Sequence, residues 1–162
     1  NLTYDKYTGS LSEYNGILAK GGAANIEIYC TIFKQEAEVE GVRVEVAFTQ
    51  AMLETGFLKF GGDVKPDQYN FAGMGATGGI SGEKFSDVRE GIRAQIQHLK
   101  CYASDAALNN ACVDPRWGTW LRNKALYVQW LSKANNPYGI GWATDAEYSE
   151  KILSMIKSLK AN

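Results

Sequence analysis

Apolar positions along the chain fall at helical spacing in most segments and lose that spacing in one. The densest run is residues 42–53, where Val42, Val44, Val46, Ala47, Phe48, Ala51, Met52 and Leu53 cover nearly every side of a 3.6-residue period. A helix that is apolar almost all round is a buried helix. One line along it, Arg43, Ala47, Gln50 and Glu54, follows spacings of three and four and carries polar groups inward or toward a cleft. Glu54 falls in the last turn, before Thr55 and Gly56, and glycine is the usual residue just past a helix end.

Residues 1–22 are polar, with Leu11, Tyr14, Ile17 and Leu18 as a short helical pattern, and read as a lead-in that packs on the core. Asn25 is a candidate cap for the next helix, whose stripe is Ile28, Ile32 and Phe33. Glu36, Glu38 and Glu40 read as its solvated face, and Gly41 as its stop. The helical period disappears between Gly61 and Gly82, where seven of 22 positions are glycine, interleaved with Pro66, Tyr69 and Phe71. Glycine at that density allows tight turns and close approach to a ligand, and a small irregular β lobe is expected.

Ser86 is the expected cap of the following helix, with Asp87 and Glu90 in its first turn and Val88, Ile92, Ile96, Leu99 and Ala103 inward. Trp117, Trp120 and Trp130 come after a loop over residues 104–116 and are expected to pack helices, Trp130 within a helix over 125–131. A capping-box pattern, Thr144 to Glu147, opens the last helix, with Tyr148, Ile152, Met155, Ile156 and Leu159 inward. The result is five or six helices around one buried helix with a minor β element, a mainly α (α+β) single domain over residues 1–162.

Length and composition suit one core: 162 residues, 45 % hydrophobic and 22 % charged. Seventeen basic against eighteen acidic residues leave a net charge of −1, which lacks the basic footprint of a nucleic-acid binder. No apolar run approaches the roughly 18 residues of a membrane span. The sequence starts at Asn1 without a signal-peptide pattern, so it is expected to be a mature or excised piece. Cys101 and Cys112 are 11 residues apart, a spacing that a disulfide or two free thiols fit equally, and Cys30 is odd in either case. His98 is the one histidine and no cysteine pair has ligand spacing, so neither metal nor cofactor is expected, and His98 reads as a surface or core-edge imidazole.

A carboxylic acid ending an apolar helix and facing a Gly-rich, aromatic-bearing segment is desolvated, which raises its pKa toward what a general acid needs near neutral pH. On residue physics alone a satisfied helix-end carboxylate is the commoner meaning of such a position. If the chemistry is glycoside hydrolysis a second carboxylate is expected, with Asp63, Asp67, Glu83 and Asp87 as candidates.

Four segments in order tip this balance. Gln50 to Phe57, Q-A-M-L-E-T-G-F, resembles the Q-A-x-L-E-S-G-W motif of the bacterial cell-wall glucosaminidases, glycoside hydrolase family 73. Tyr69 to Met74 resembles that family's Y-N-L-F-G-I segment, Lys84 to Gly91 its F-x-x-Y-x-S-x-x-E-G segment, and Gly141 to Ile152 its Y-A-T-D-P-x-Y-x-x-K-I segment. Trp142 stands where the family has tyrosine, Ala146 where it has proline, and Phe57-Leu58 where Gly-Trp-Gly is frequent; residues 61–68 form a longer loop.

The resemblance implies a lysozyme-like helical domain with a small β lobe over a groove. It also implies an endo-β-N-acetylglucosaminidase that cuts the β-1,4 bond on the reducing side of N-acetylglucosamine in peptidoglycan glycan strands. Glu54 would be the general acid and Glu83, from the lobe, the second catalytic carboxylate. An inverting reaction and assistance by the substrate's N-acetyl group both remain open. Stacking on sugar faces and pairing with N-acetyl groups would fall to Gln50, Tyr69, Asn70, Phe71, Trp142 and Tyr148. Secretion to the cell wall, a monomeric catalytic module and wall-binding domains outside this chain are expected. A muramidase or lytic transglycosylase on a similar fold, and a non-catalytic glycan-binding module, are the rival readings.

Overall fold

The computed structural model describes residues 11–161; residues 1–10 of the expected lead-in lie outside them. The described residues form five α-helices, α1 (Leu11–Lys20), α2 (Ile26–Glu40), α3 (Val44–Thr55), α4 (Val88–Ala103) and α5 (Tyr148–Lys160), with short 3₁₀ turns in the α3–α4 and α4–α5 connections. Helix α3 is the element the others surround. Every residue from Val46 to Met52 is buried, although Thr49 and Gln50 are polar. Arg43 is its N-cap, so Val42 precedes the helix. The chain leaves it at Gly56, in the left-handed region at φ 57°, with Phe57 N donating to Met52 O at 2.8 Å.

Helix α2 begins as expected, with Asn25 Oδ1 accepting from Ile28 N at 2.9 Å, and ends at Gly41. Its glutamates do not form one solvated face. Glu38 is exposed, but Glu36 and Glu40 are 2 % and 4 % exposed and lie against α4 and the loop after it. Arg89 and Arg93 of α4 hold Glu36, both at 3.0 Å. Lys100 Nζ holds Glu40 Oε1 at 3.1 Å, and Asn109 N and Asn110 N donate to the same carboxylate at 2.8 and 3.3 Å. Residues 36 and 40 are one helical turn apart, so the pair forms a charged strip along the face that docks on α4.

The cap of α4 is Asp87, whose Oδ1 accepts from Glu90 N at 2.7 Å; Ser86 sits one residue earlier, paired with Glu90 Oε2. Val88, Ile92, Ile96 and Leu99 are buried as the period predicts, and Ala103 is exposed. A Cβ at Gly91 would lie 1.7 Å from Tyr69 O, so α4 packs on bare backbone there. The box expected before α5 does not form: Glu147 makes no side-chain cap, and Asp145 Oδ1 accepts from Glu147 N instead. Trp130 lies in a 3₁₀ turn, Val128–Leu131. Cys101 and Cys112 are free thiols, turned toward Gly118 O and Asp114 O respectively.

The glycine-rich lobe contains one β-bridge among the described residues, Thr77 with Ile80. Two buried side-chain amides replace a strand ladder. Asn70 accepts from Met74 N and donates to Met74 O and Glu83 O; Gln68 Nε2 donates to Ser81 O and Glu83 O. Each amide satisfies backbone that the turns leave unpaired.

Candidate active site

Glu54 is at the C-terminal end of α3, beneath the lobe, and lines a cavity of about 170 Å³ with Asp63, Asn70, Gly73 and Ala76. The residue opens to water through that cavity, yet protein packs around its carboxyl on the other sides. The surrounding protein, more than the open side, governs proton affinity: burial pushes the Glu54 carboxyl up to about 6, opposed by a hydrogen bond from Tyr148. No cation is paired with Glu54 among the described residues.

A chain of donors runs into this carboxylate from the core. Gln95 Nε2 donates to Gln50 Oε1 at 2.9 Å, Gln50 Nε2 to Tyr148 OH at 3.0 Å, and Tyr148 OH to Glu54 Oε1 at 2.8 Å. Burial, then the charge of Glu54, hold the Tyr148 phenol well above the ordinary tyrosine range, so it remains a donor. Helix α3 supplies two members of the chain one turn apart, α4 supplies Gln95 and α5 supplies Tyr148 at its first residue. The other oxygen, Oε2, lies against Gly73, where a Cβ would stand 2.7 Å away. Oε1 is therefore held by Tyr148, and Oε2 lies beside Gly73, which lines the same cavity as Glu54.

A second cavity of about 370 Å³ shares Gly73 and Ala76 with the first, and the two form one groove. Trp142 is in its wall, fixed by Nε1 donating to Ala72 O at 3.1 Å and by the edge-on His98 ring, 4.8 Å between centroids. His98 is not a surface imidazole. It is buried with Nδ1 2.7 Å from Asp114 Oδ2. Tyr102, Arg116 and Trp120 complete the aromatic and basic side of this cavity. Trp120 is 66 % exposed at its mouth, against the expectation that it packs a helix.

The structure brings Gln50, Glu54, Asn70, Trp142 and Tyr148 to this groove or directly behind it. Two expected liners turn away. Tyr69 donates its hydroxyl to Ile17 O in α1, and Phe71, fully buried, packs edge-on against Tyr29 of α2. Asn70 between them lines the cavity, and the chain turns at Tyr69 (φ 52°). Glu83 lies at the lobe's edge, beside Gly75, with Oε1 4.0 Å from Arg116 Nη1. Asp63 shares the cavity of Glu54 directly, while Asp87 is taken up as the α4 cap. Sequence reasoning missed His98, Tyr102, Arg116 and Trp120 as groove residues. The Cys112-Val113-Asp114-Pro115-Arg116 loop has no period to read, and only its Asp-Pro pair marks a turn.

Comparison with known proteins places the chain in a family. The chain is 39 % identical over 125 residues to an uncharacterized protein of Borreliella burgdorferi, covering 76 % of this chain and 58 % of the relative, so it spans a little over half of that protein's length. A solved structure, a C-terminally truncated glycoside hydrolase domain from Salmonella typhimurium FlgJ, is 20 % identical with a TM-score of 0.48, covering 91 % of this chain and 98 % of that one. Residues 30–161 match the family model for glucosaminidase, described as mannosyl-glycoprotein endo-beta-N-acetylglucosaminidase. That match takes in α3, the lobe, α4 and α5, every element that builds the groove, and the chain belongs to the glucosaminidase family of glycoside hydrolases.

Proposed function

We propose that this domain hydrolyses the β-1,4 bond between N-acetylglucosamine and N-acetylmuramic acid in peptidoglycan glycan strands, with Glu54 as general acid. The observation that carries the reading is one carboxyl: unpaired by any cation among the described residues, raised to about 6, held through Oε1 and set in the wall of a cavity beside Gly73. At pH 7 about one Glu54 in ten carries its proton, enough for a general acid. The proton on Oε2 passes to the glycosidic oxygen, which leaves as the 4-hydroxyl of the muramoyl unit. Positive charge then develops at C1 of N-acetylglucosamine, and Glu54 becomes the carboxylate that the Tyr148 hydroxyl stabilises.

Glu83 is the proposed second carboxylate, activating water from the rim of the groove. Asp63 is its rival, because Asp63 lines the same cavity as Glu54. Trp142 and Trp120 offer aromatic faces to the sugar chain. The domain is proposed to act outside the cell on the wall, as a monomer. With a net charge of −1 it has no electrostatic anchor there, so a wall-binding module elsewhere in the protein is part of the reading; wall-fraction blotting of the full-length protein tests it.

Mass spectrometry of released, borohydride-reduced muropeptides tests the reaction. Reduced N-acetylglucosamine ends are expected; reduced or anhydro muramic ends refute the bond and favour a muramidase or lytic transglycosylase. Glu54→Gln should lower kcat about 10³-fold and still sediment with wall material. Lysis unaffected by that change excludes the assignment, and wild-type binding without lysis favours a glycan-binding module. The same assay on Glu83→Gln and Asp63→Asn ranks the two second carboxylates.

A further inference from the structure

The larger half of the groove has a charge that hydrolysis of a neutral sugar chain does not require. Among the described residues its lining contains no Asp or Glu, and Arg116 is its single permanent charge. The guanidinium is half exposed, with a side-chain exposure of 51 %. Among the described residues its one ion pair, to Glu83 Oε1 at 4.0 Å, is longer than a hydrogen bond, so the fork keeps donors for a further acceptor.

The backbone beneath Arg116 is fixed. Asp114, 5 % exposed, accepts from Arg116 N at 2.8 Å through Oδ1 and pairs through Oδ2 with His98. On the opposite side the guanidinium lies on Gly75, where a Cβ would come within 3.4 Å of Nη1. A cation so placed beside exposed Trp120 is arranged to bind a carboxylate attached to a sugar.

We propose that Arg116 makes this cavity a subsite for the carboxylate of a muramoyl unit, so that the domain selects an acidic glycan strand over a neutral one. The inference rests on the peptidoglycan reading above. If the cleaved bond follows N-acetylglucosamine, both units adjoining that sugar are muramoyl, whichever way the strand runs. The cavity shares Gly73 and Ala76 with that of Glu54 and so receives one of them. Its carboxylate has two sources: the lactyl group itself in a strand stripped of peptide, or the stem peptide in an intact one.

Calorimetric binding in the inactive Glu54→Gln background separates these. Three soluble ligands are compared: peptide-free peptidoglycan oligosaccharides, the same chains with stem peptides, and neutral oligomers of N-acetylglucosamine. Arg116→Gln should weaken binding of at least one acidic ligand five- to tenfold more than that of the neutral chain, and Arg116→Lys should recover part of the difference. The acidic ligand that loses more identifies the source of the carboxylate. Equal weakening of all three ligands, as from disturbing Glu83 or the loop, overturns the subsite, and so does no weakening of any. Failure of the reaction reading is seen separately, in the muropeptides of the wild type: reduced muramic ends would make the adjoining units neutral and overturn both.

Discussion

Glu54 and Glu36 are the same residue type in different settings, Glu36 shut between α2 and α4 and Glu54 open to a cavity on one side, and their proton affinities move in opposite directions. Burial acts upward on each. At Glu36 the hydrogen bonds and charges of Arg93 and Arg89 outweigh it and hold the carboxyl below the ordinary range. At Glu54 the sole opposing group is a neutral hydroxyl, and the carboxyl rises to about 6. Glu40, 4 % exposed, follows the Glu36 pattern of supply, with one ammonium and two backbone N–H groups. Burial alone therefore does not make an acid catalyst. What distinguishes Glu54 is a desolvated carboxyl met by a neutral hydroxyl in place of a cation, at the wall of a cavity.

The contrast can be broken most strongly from the structural side. Lys100→Met leaves Glu40 buried without its cation and should cost about 3 kcal/mol of stability. In a domain of this size that is about 8 °C in Tm, and pairing the change with Glu40→Gln should recover part of it. Urea unfolding of the two variants measures this, and an unchanged midpoint in Lys100→Met would show that the ion pair is not what holds α4 to α2.

Tyr148→Phe should have a smaller effect on the other member of the pair. It removes the donor that lowers the Glu54 pKa, so the alkaline limb of kcat/KM should move to higher pH while kcat falls about tenfold. A limb that stays in place would mean that Tyr148 does not set the acid. The smallest effect is in stability. A carboxyl with a folded pKa of about 6 against an unfolded value near 4.5 binds its proton more tightly when folded. Stability from Glu54 is then lost as pH rises from about 4.5 through 6, by less than about 1 kcal/mol once water in the cavity is allowed for. Glu36 runs the other way: its contribution is lost as pH falls through its lowered pKa. Glu54→Gln should thus gain on the wild type in melting temperature between pH 4 and pH 8; a constant difference would show that Glu54 is not desolvated.

The helices were legible because burial imposes a period. The run of Val46, Phe48, Ala51 and Met52 marked α3 as the buried element, and the Glu54-Thr55-Gly56 end marked its stop. The family was legible once four segments in order resembled it, and residues 30–161 match its model. Polar burial was not. Glu36 and Glu40 carry the same i, i+4 spacing as a solvated face, and only the arrival of Arg93 and Lys100 from a helix some sixty residues away buries them. The same limit explains the groove wall. Arg116 and Trp120 reach it through a loop fastened by tertiary contacts, and Tyr69 and Phe71 pack on α1 and α2 instead.

That fastening has a consequence for the order of folding. Glu40 belongs to α2, Lys100 to α4, and the amides they secure belong to residues 109 and 110. A loop held by groups on two helices gains nothing from closing until those helices have met, so its closure entropy is recovered late. Arg116 and Trp120 follow in the same loop and the turn after it. The groove wall that carries Arg116 and Trp120 is therefore expected to close only after α2 and α4 have docked, later than α3 is buried.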